Sequence, residues 1–240
     1  MSTSSAARYA VYFAPDADSA LWRFGSAVLG YDGAAGKDVP QLVPQGFGDD
    51  EFFALTEDPR HYAFHATIRS PFRLAEGVDE GRLVEVLEAF CASRTAFSMP
   101  ALALTVIPAR AGGEAFLALT EAAPSQELAA LERAVVPAFE GCRAPLNEAE
   151  RAKRRPDNLP ERQLRYLDTY GYPYIFEDFR FHMTLTGRVP ADRVPAMQAG
   201  LEALYRSHVD DALVPVNALA LYRQLPGERF RILARASLNA

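Results

Sequence analysis

The chain holds four histidines, His61, His65, His182 and His208. Two of them begin the same short pattern, His65-Ala66-Thr67-Ile68 and His182-Met183-Thr184-Leu185. On an extended strand residues i and i+2 project from one face, so each pattern sets an imidazole beside a hydroxyl. Two such pairs across one cleft suit a phosphodiester. Hydrolysis needs a base for the attacking water and an acid for the departing oxygen, and imidazole serves as either near neutral pH. The hydroxyls of Thr67 and Thr184 can donate to the non-bridging oxygens as charge shifts. No metal and no cofactor is called for.

Further candidates follow from the same alternation. Arg69 and Arg180 fall on the faces of His65 and His182, and two guanidiniums near one cleft would hold an anion. They would also lower both imidazole pKa values, which favours the base and handicaps the acid. Tyr12, in the middle of a strand, is a candidate for the cleft floor. The run Arg151, Lys153, Arg154, Arg155 is either a solvated helix end or a phosphate-gripping lid, with Arg155 the candidate ligand. Tyr170, Tyr172 and Tyr174 either stack on a substrate or pack an ordered loop.

The elements that must position these residues read as a repeat. Residues 60–70 and 178–188 alternate as strands, and each is followed by a helical pattern (79–93 and 191–208) and two more strands (97–107 with 114–120, and 213–223 with 229–238). Phe64–Ile68 matches Phe181–Leu185, and Ala101–Leu104 matches Ala218–Leu221, both at an offset of 117. Shared order and register point to duplication, with repeat units 60–120 and 178–238. Outside them lie a strand at 8–14, a helix at 19–29 capped by Asp18 or Ser19 and stopped by Gly30, and a helix at 125–140 that Pro137 is expected to kink or shorten. A Gly- and Pro-rich stretch from 30 to 59 reads as a lid or a poorly ordered insertion. A basic helical insert spans about 145–177. A turn near Gly112-Gly113 is expected to join the third and fourth strands. The fold class expected is α+β: a single two-lobed domain over 1–240, with antiparallel-rich sheets forming a central cleft.

Composition narrows the function. The 240 residues are 49% hydrophobic and 23% charged, with 25 Lys and Arg against 31 Asp and Glu. This is a globular composition, and a net charge of −6 speaks against a dedicated binder of long nucleic acid. No apolar run approaches the length of a membrane span, and residues 1–10 lack the apolar core of a signal peptide. Two isolated cysteines, Cys91 and Cys142, form no CxxC pair and suit a reducing cytosol, so a cytoplasmic location is expected.

The paired H-x-T-x motifs and the near-half-length duplication resemble the two-histidine (2H, LigT-like) phosphoesterase superfamily, over roughly residues 8–238. The wider context, FHATIRSPF and FRFHMTLTG with GYPY before it, resembles the bacterial branch linked to phosphonate metabolism. The superfamily implies a bilobal α+β fold, both His-Thr pairs lining the cleft, and metal-independent chemistry on cyclic phosphates. The branch implies a link to carbon–phosphorus lyase operons. There a 5-phosphoribosyl 1,2-cyclic phosphate must be opened, and an enzyme of this type suits that step. The basic insert departs from the simplest members and leaves the substrate open.

Other readings stand beside this one. The same fold would serve a 2′,3′-cyclic phosphodiesterase on RNA or nucleotide ends, or a non-catalytic sensor of phosphate esters. His65 and His182 could instead be strand residues with structural hydrogen bonds, or a metal pair, although two histidines without a carboxylate are a poor ligand set. His61 lacks a counterpart in the second repeat and is expected to be peripheral. His208 ends a helix, where a cation suits the dipole. The expected partner is a small phosphorylated substrate; the oligomeric state is left open.

Overall fold

The computed structural model describes residues 6–109, 114–210 and 213–240; the expected turn at Gly112-Gly113 lies outside them. The chain begins with β1 (Arg8–Phe13), α1 (Ala20–Leu29), the short pair β2 (Tyr31–Asp32) and β3 (Lys37–Asp38), α2 (Asp49–Leu55) and α3 (Glu57–Tyr62). The first repeat then supplies β4 (Ala66–Phe72), α4 (Glu80–Ala92), β5 (Phe97–Pro100), β6 (Leu102–Pro108) and β7 (Ala115–Glu121). Three helices follow, α5 (Gln126–Ala138), α6 (Glu148–Lys153) and α7 (Glu161–Tyr170). The second repeat gives β8 (Met183–Thr184), α8 (Val194–His208), β9 (Leu213–Val216), β10 (Ala218–Gln224) and β11 (Arg231–Ser237). The class is α+β with antiparallel sheets, as expected.

Seven strands form one sheet in the order β11-β10-β1-β4-β8-β7-β6, and β5 pairs with β9 apart from it. Hairpin β6-β7 of the first repeat lies beside β8 of the second. Hairpin β10-β11 of the second lies beside β1, next to β4 of the first. The helices cross over too: α4 packs on β10 and β11, and α8 on β6. Each half of the sheet is therefore built from both repeats, so neither repeat closes a core alone.

The contacts between repeats share one relation. Ala66 pairs with Met183, and Ser98 with Pro215 at the centre of β5-β9. In both, a residue meets the one 117 positions on, which is its own counterpart at the sequence offset. Self-pairing of equivalent positions is what a two-fold axis imposes, and that axis runs between the two motifs.

Local signals set several boundaries as the sequence predicts. Ser19 accepts from the Trp22 amide at the start of α1, and Gly30 closes it in the left-handed region at φ 71°. Gly171 ends α7 in the same way at φ 75°. Pro137 sits in the last turn of α5, which ends one residue later at Ala138, short of the 140 expected.

Two segments differ from expectation. Residues 30–59 are no lid or loose insertion: Phe52 is fully buried, and Leu42, Val43 and Phe47 pack on the core. The strand expected from residue 60 begins only at Ala66, because Glu57–Tyr62 is helical. Three of those six residues are charged and Pro59 lies in their midst. The alternation read across Tyr62 and Phe64 was therefore coincidental, and His61 is a helix residue.

Candidate active site

Two segments meet at Ala66 and Met183, both fully buried. Continuing the antiparallel pairing one residue each way sets Thr184 opposite His65 and His182 opposite Thr67, all on the face away from those buried side chains. Opposed residues lie close, and a diagonal such as that from His65 to His182 spans about 7–8 Å in an antiparallel pair, somewhat less between Cβ atoms. The four residues singled out from the sequence thus form one quartet around the pseudo-two-fold axis. His65, His182 and Thr184 line a cleft of about 420 Å³, and Thr67 Oγ1 lies 3.2 Å from His65 Nε2.

Each imidazole is held by its own chain. His65 Nδ1 donates to the Ala63 carbonyl at 2.9 Å, and His182 Nδ1 to the Arg180 carbonyl at 2.8 Å. A carbonyl only accepts, so both Nδ1 atoms carry a proton and both Nε2 atoms remain for chemistry. The Thr67 hydroxyl then donates to His65 Nε2.

The surroundings differ. His65 stacks on Tyr12 with ring centroids 3.7 Å apart and planes at 17°, and Tyr12 is 1% exposed. Tyr12 pairs with Thr67 on β1. Its counterpart beside Thr184 is Ala118 on β7, which places no ring under His182. Burial lowers the His65 pKa to about 4; the Ala63 carbonyl opposes that shift and His182 adds to it. Tyr12 lies buried beneath the His65 ring and does not itself line the cleft.

Neither expected arginine takes its expected place. Arg69 is fully buried and bonds Glu140 at 2.6 Å. The cause is a bulge: Tyr12 pairs with Thr67, but the next β1 partner pair is Val11 with Arg69. Ile68 is the extra residue, and it breaks the period-two relation between Thr67 and Arg69. Arg180 is exposed and donates to the Glu177 and Phe179 carbonyls; its role here is the carbonyl that holds His182. Arg155 is exposed, sits at φ 50° and lines neither large cavity.

Other residues of the cleft carried no sequence signal. Tyr62 reaches it from α3, Phe116 from β7 with its ring 6.1 Å from that of His182, and Arg188 from the segment after β8. They come from three elements with no common spacing. His61 accepts from Gln224, and His208 Nδ1 bonds the Leu204 carbonyl at the end of α8; both lie off the cleft. Tyr170 packs edge-on to Phe176, and Tyr172 to Tyr174, so the tyrosines pack their loop.

No helix among the described residues is long and apolar enough to cross a membrane. No group of three or more His, Cys, Asp or Glu among them could hold a metal ion.

Solved structures that match across the chain include LigT of E. coli complexed with 3′-AMP, at 12% identity, TM-score 0.43, covering 97% of this chain and 98% of that one. Another is Usb1 of Kluyveromyces marxianus, at 11% identity, TM-score 0.37, covering 99% of each. Likeness this distant leaves the site to be read from its own geometry. Two curated relatives are named ribose 1,5-bisphosphate phosphokinase PhnN. One, from Janthinobacterium sp. (strain Marseille), is 36% identical over 96% of this chain and 50% of its own length. The other, from Laribacter hongkongensis (strain HLHK9), is 35% identical over 90% and 48%. The chain thus spans about half the length of the curated relatives it matches. A family model described as protein of unknown function (DUF1045) matches residues 67–231, which begins at Thr67 inside the first motif, takes in the whole of the second and covers well over half of the sequence, and the chain belongs to that family.

Proposed function

We propose that this chain hydrolyses a small cyclic phosphodiester, with His65 as general base and His182 as general acid. The observation that carries the reading is the quartet: two Nε2 atoms freed by matching Nδ1 contacts, placed diagonally about one axis. An in-line displacement needs its base and acid on opposite sides of phosphorus, and a diagonal supplies that. Water attacks phosphorus and its proton passes to His65 Nε2. The ring P–O bond breaks, and the departing oxygen takes the proton from His182 Nε2. The products are a phosphate monoester and a free hydroxyl. His65 suits the base, because burial keeps it neutral. When substrate binds, the Thr67 hydroxyl turns its one proton from His65 Nε2 to a non-bridging oxygen, Thr184 donates to the other, and Arg188, ion-paired with Glu114 at 3.3 Å, brings its guanidinium to the cleft.

The substrate we favour is 5-phosphoribosyl 1,2-cyclic phosphate. Cleaving its bond to O2 leaves the phosphate on C1 and yields ribose 1,5-bisphosphate. That compound appears in the names of relatives twice this chain's length. A hydrolase that produces it would stand one step before a kinase that consumes it.

The test is turnover of this ester and of nucleoside 2′,3′-cyclic phosphates with EDTA present. Opening of the ribosyl ester in chelator, faster than of the nucleotides, is expected. Activity that disappears with EDTA and returns with a divalent ion would overturn the mechanism. Faster turnover of the nucleotides would overturn the substrate. Tight binding with every ester left intact would make the chain a sensor.

A further inference from the structure

A second cavity, of about 480 Å³, lies beside the His-Thr cleft. Tyr62 lines both. Its ring stands 6.4 Å from that of His65 and stacks on Phe230 at 5.3 Å, which makes it a fixed wall between the two spaces. The second cavity is basic although the chain is acidic overall. Arg8, Arg73, Arg143, Lys153 and Arg154 line it, against one carboxylate, Glu150.

These cations are not equivalent. Arg73 is spent on Glu150 and the Pro145 carbonyl. Arg143 is spent on Glu140 and the Ala144 and Thr169 carbonyls. The other three have no carboxylate partner among the described residues. Arg8 donates through Nε to Gln224 at 2.7 Å, so both terminal nitrogens are left over. Arg154 lies over the Tyr172 ring, 5.0 Å from its centroid. Lys153 and Arg154 come from the end of α6, whose start is locked by a capping box between Asn147 and Glu150. Holding three uncompensated cations around one hollow is repulsive unless an anion sits among them. Glu150, already doubly bonded to Arg73, cannot neutralise them.

We propose that this cavity is the subsite for a second phosphate group of the molecule whose cyclic phosphate lies in the His-Thr cleft. Arg8, Lys153 and Arg154 grip it. The sugar passes Tyr62, which sets the spacing between the two phosphates. The basic insert is then the part of the chain that selects a phosphorylated sugar over an unphosphorylated one. This deepens the reading given above and rests on it for the cleft, while the subsite can be tested without turnover.

Two measurements decide it. The first is calorimetric titration with ribose 5-phosphate, inorganic phosphate and ribose, for the native chain and for the double variant Lys153→Glu, Arg154→Glu. Lys153 ends a short surface helix and Arg154 caps it, and a thermal melt checks that the fold survives. Ribose 5-phosphate is expected to bind at least tenfold more tightly than inorganic phosphate, ribose not to bind, and the variant to lose tenfold or more. Equal affinity for ribose 5-phosphate and inorganic phosphate would make the cavity a general anion site and overturn the proposal, as would unchanged affinity in the variant. The second compares kcat/KM for ribose 1,2-cyclic phosphate with and without its 5-phosphate. A preference above thirtyfold, carried by KM and collapsing towards one in the variant, is expected. Equal turnover of both by the native chain refutes the subsite. Turnover of neither refutes the catalytic reading instead, and the titration still decides the subsite.

Discussion

His65 and His182 are fixed by one contact made twice, Nδ1 of each donating to the carbonyl two residues earlier, on Ala63 at 2.9 Å and on Arg180 at 2.8 Å. The match holds although Ala63 follows a helix and Arg180 follows a 3-10 turn. Base and acid that act in one step form a unit, so their losses do not add. His65→Ala and His182→Ala should each lower kcat by several powers of ten, and the double variant by little more than either. Single-turnover rates on the cyclic ester check this; multiplicative losses would mean that the two imidazoles act independently.

The setting of His65 predicts a pH dependence. Its pKa in the folded chain is about 4, below the usual 6.5 or so of an unfolded chain. The unfolded state therefore binds the extra proton between those values. Stability from this group is complete above pH 6.5 and falls away as pH drops to about 4, a loss of about 3 kcal/mol. Denaturant unfolding at pH 7 and pH 4 should show it, and His65→Gln should remove that part of the difference. The acid limb of kcat/KM should lie near pH 4, because the free enzyme's base stays neutral down to there. A limb near 6.5 would point to another base.

Tyr12 separates packing from catalysis at the same place. Tyr12→Phe keeps the ring under His65 and should leave that limb in place. Tyr12→Ala opens water to the imidazole, so the limb should move up towards 6.5, at a stability cost of about 3–5 kcal/mol for the lost ring. A limb unmoved in the alanine variant would mean that Tyr12 is not what dries His65.

What the sequence showed and what it hid follow from one physical distinction. Thr67 and Thr184 were legible because one period-two step along a strand separates each from its histidine. The repeat was legible because matching residues survive at one offset. Arg69 lies just one step further, yet the bulge at Ile68 intervenes, and a bulge depends on the neighbouring strand. Arg155 was misplaced for a similar reason: after Lys153 the chain leaves the helix, and two residues on it points elsewhere. Tyr62 and Arg188 were invisible because three-dimensional contact alone brings them to the cleft.

That bulge gives Arg69 a role in stability. Arg69 and Arg143 share the two oxygens of Glu140. Glu140 is 30% exposed and keeps Arg143 after Arg69→Ala, so the loss falls below the about 3–5 kcal/mol of a fully buried pair. Chemical denaturation should show a loss of about 1.5–3 kcal/mol while KM for the cyclic ester stays as it was. A raised KM with unchanged stability would return Arg69 to the substrate.

Ala63 shows what the grip on His65 costs. It sits at φ 62° and ψ 177°, a region where residues other than glycine are strained by about 1–3 kcal/mol. A Cβ on the facing Gly33 would meet the Ala63 Cβ at 2.6 Å, so Gly33 makes room for a methyl group that strains its own backbone. Ala63→Gly relieves the strain but gives the unfolded chain about 0.4–1 kcal/mol more entropy to lose. Ala63 is also buried, and its lost methyl costs about 0.8 kcal/mol more; the three effects nearly cancel, so stability should change by less than about 1 kcal/mol. The carbonyl that holds His65 Nδ1 would then sit on a freer backbone, and kcat should fall severalfold while KM stays. A melt and a rate measurement on the same sample test both halves. A loss of about 1.5 kcal/mol, the sum expected from entropy and the buried methyl alone, would mean that the conformation at Ala63 carries no strain. An unchanged kcat would mean that Tyr12 alone is enough to aim the imidazole.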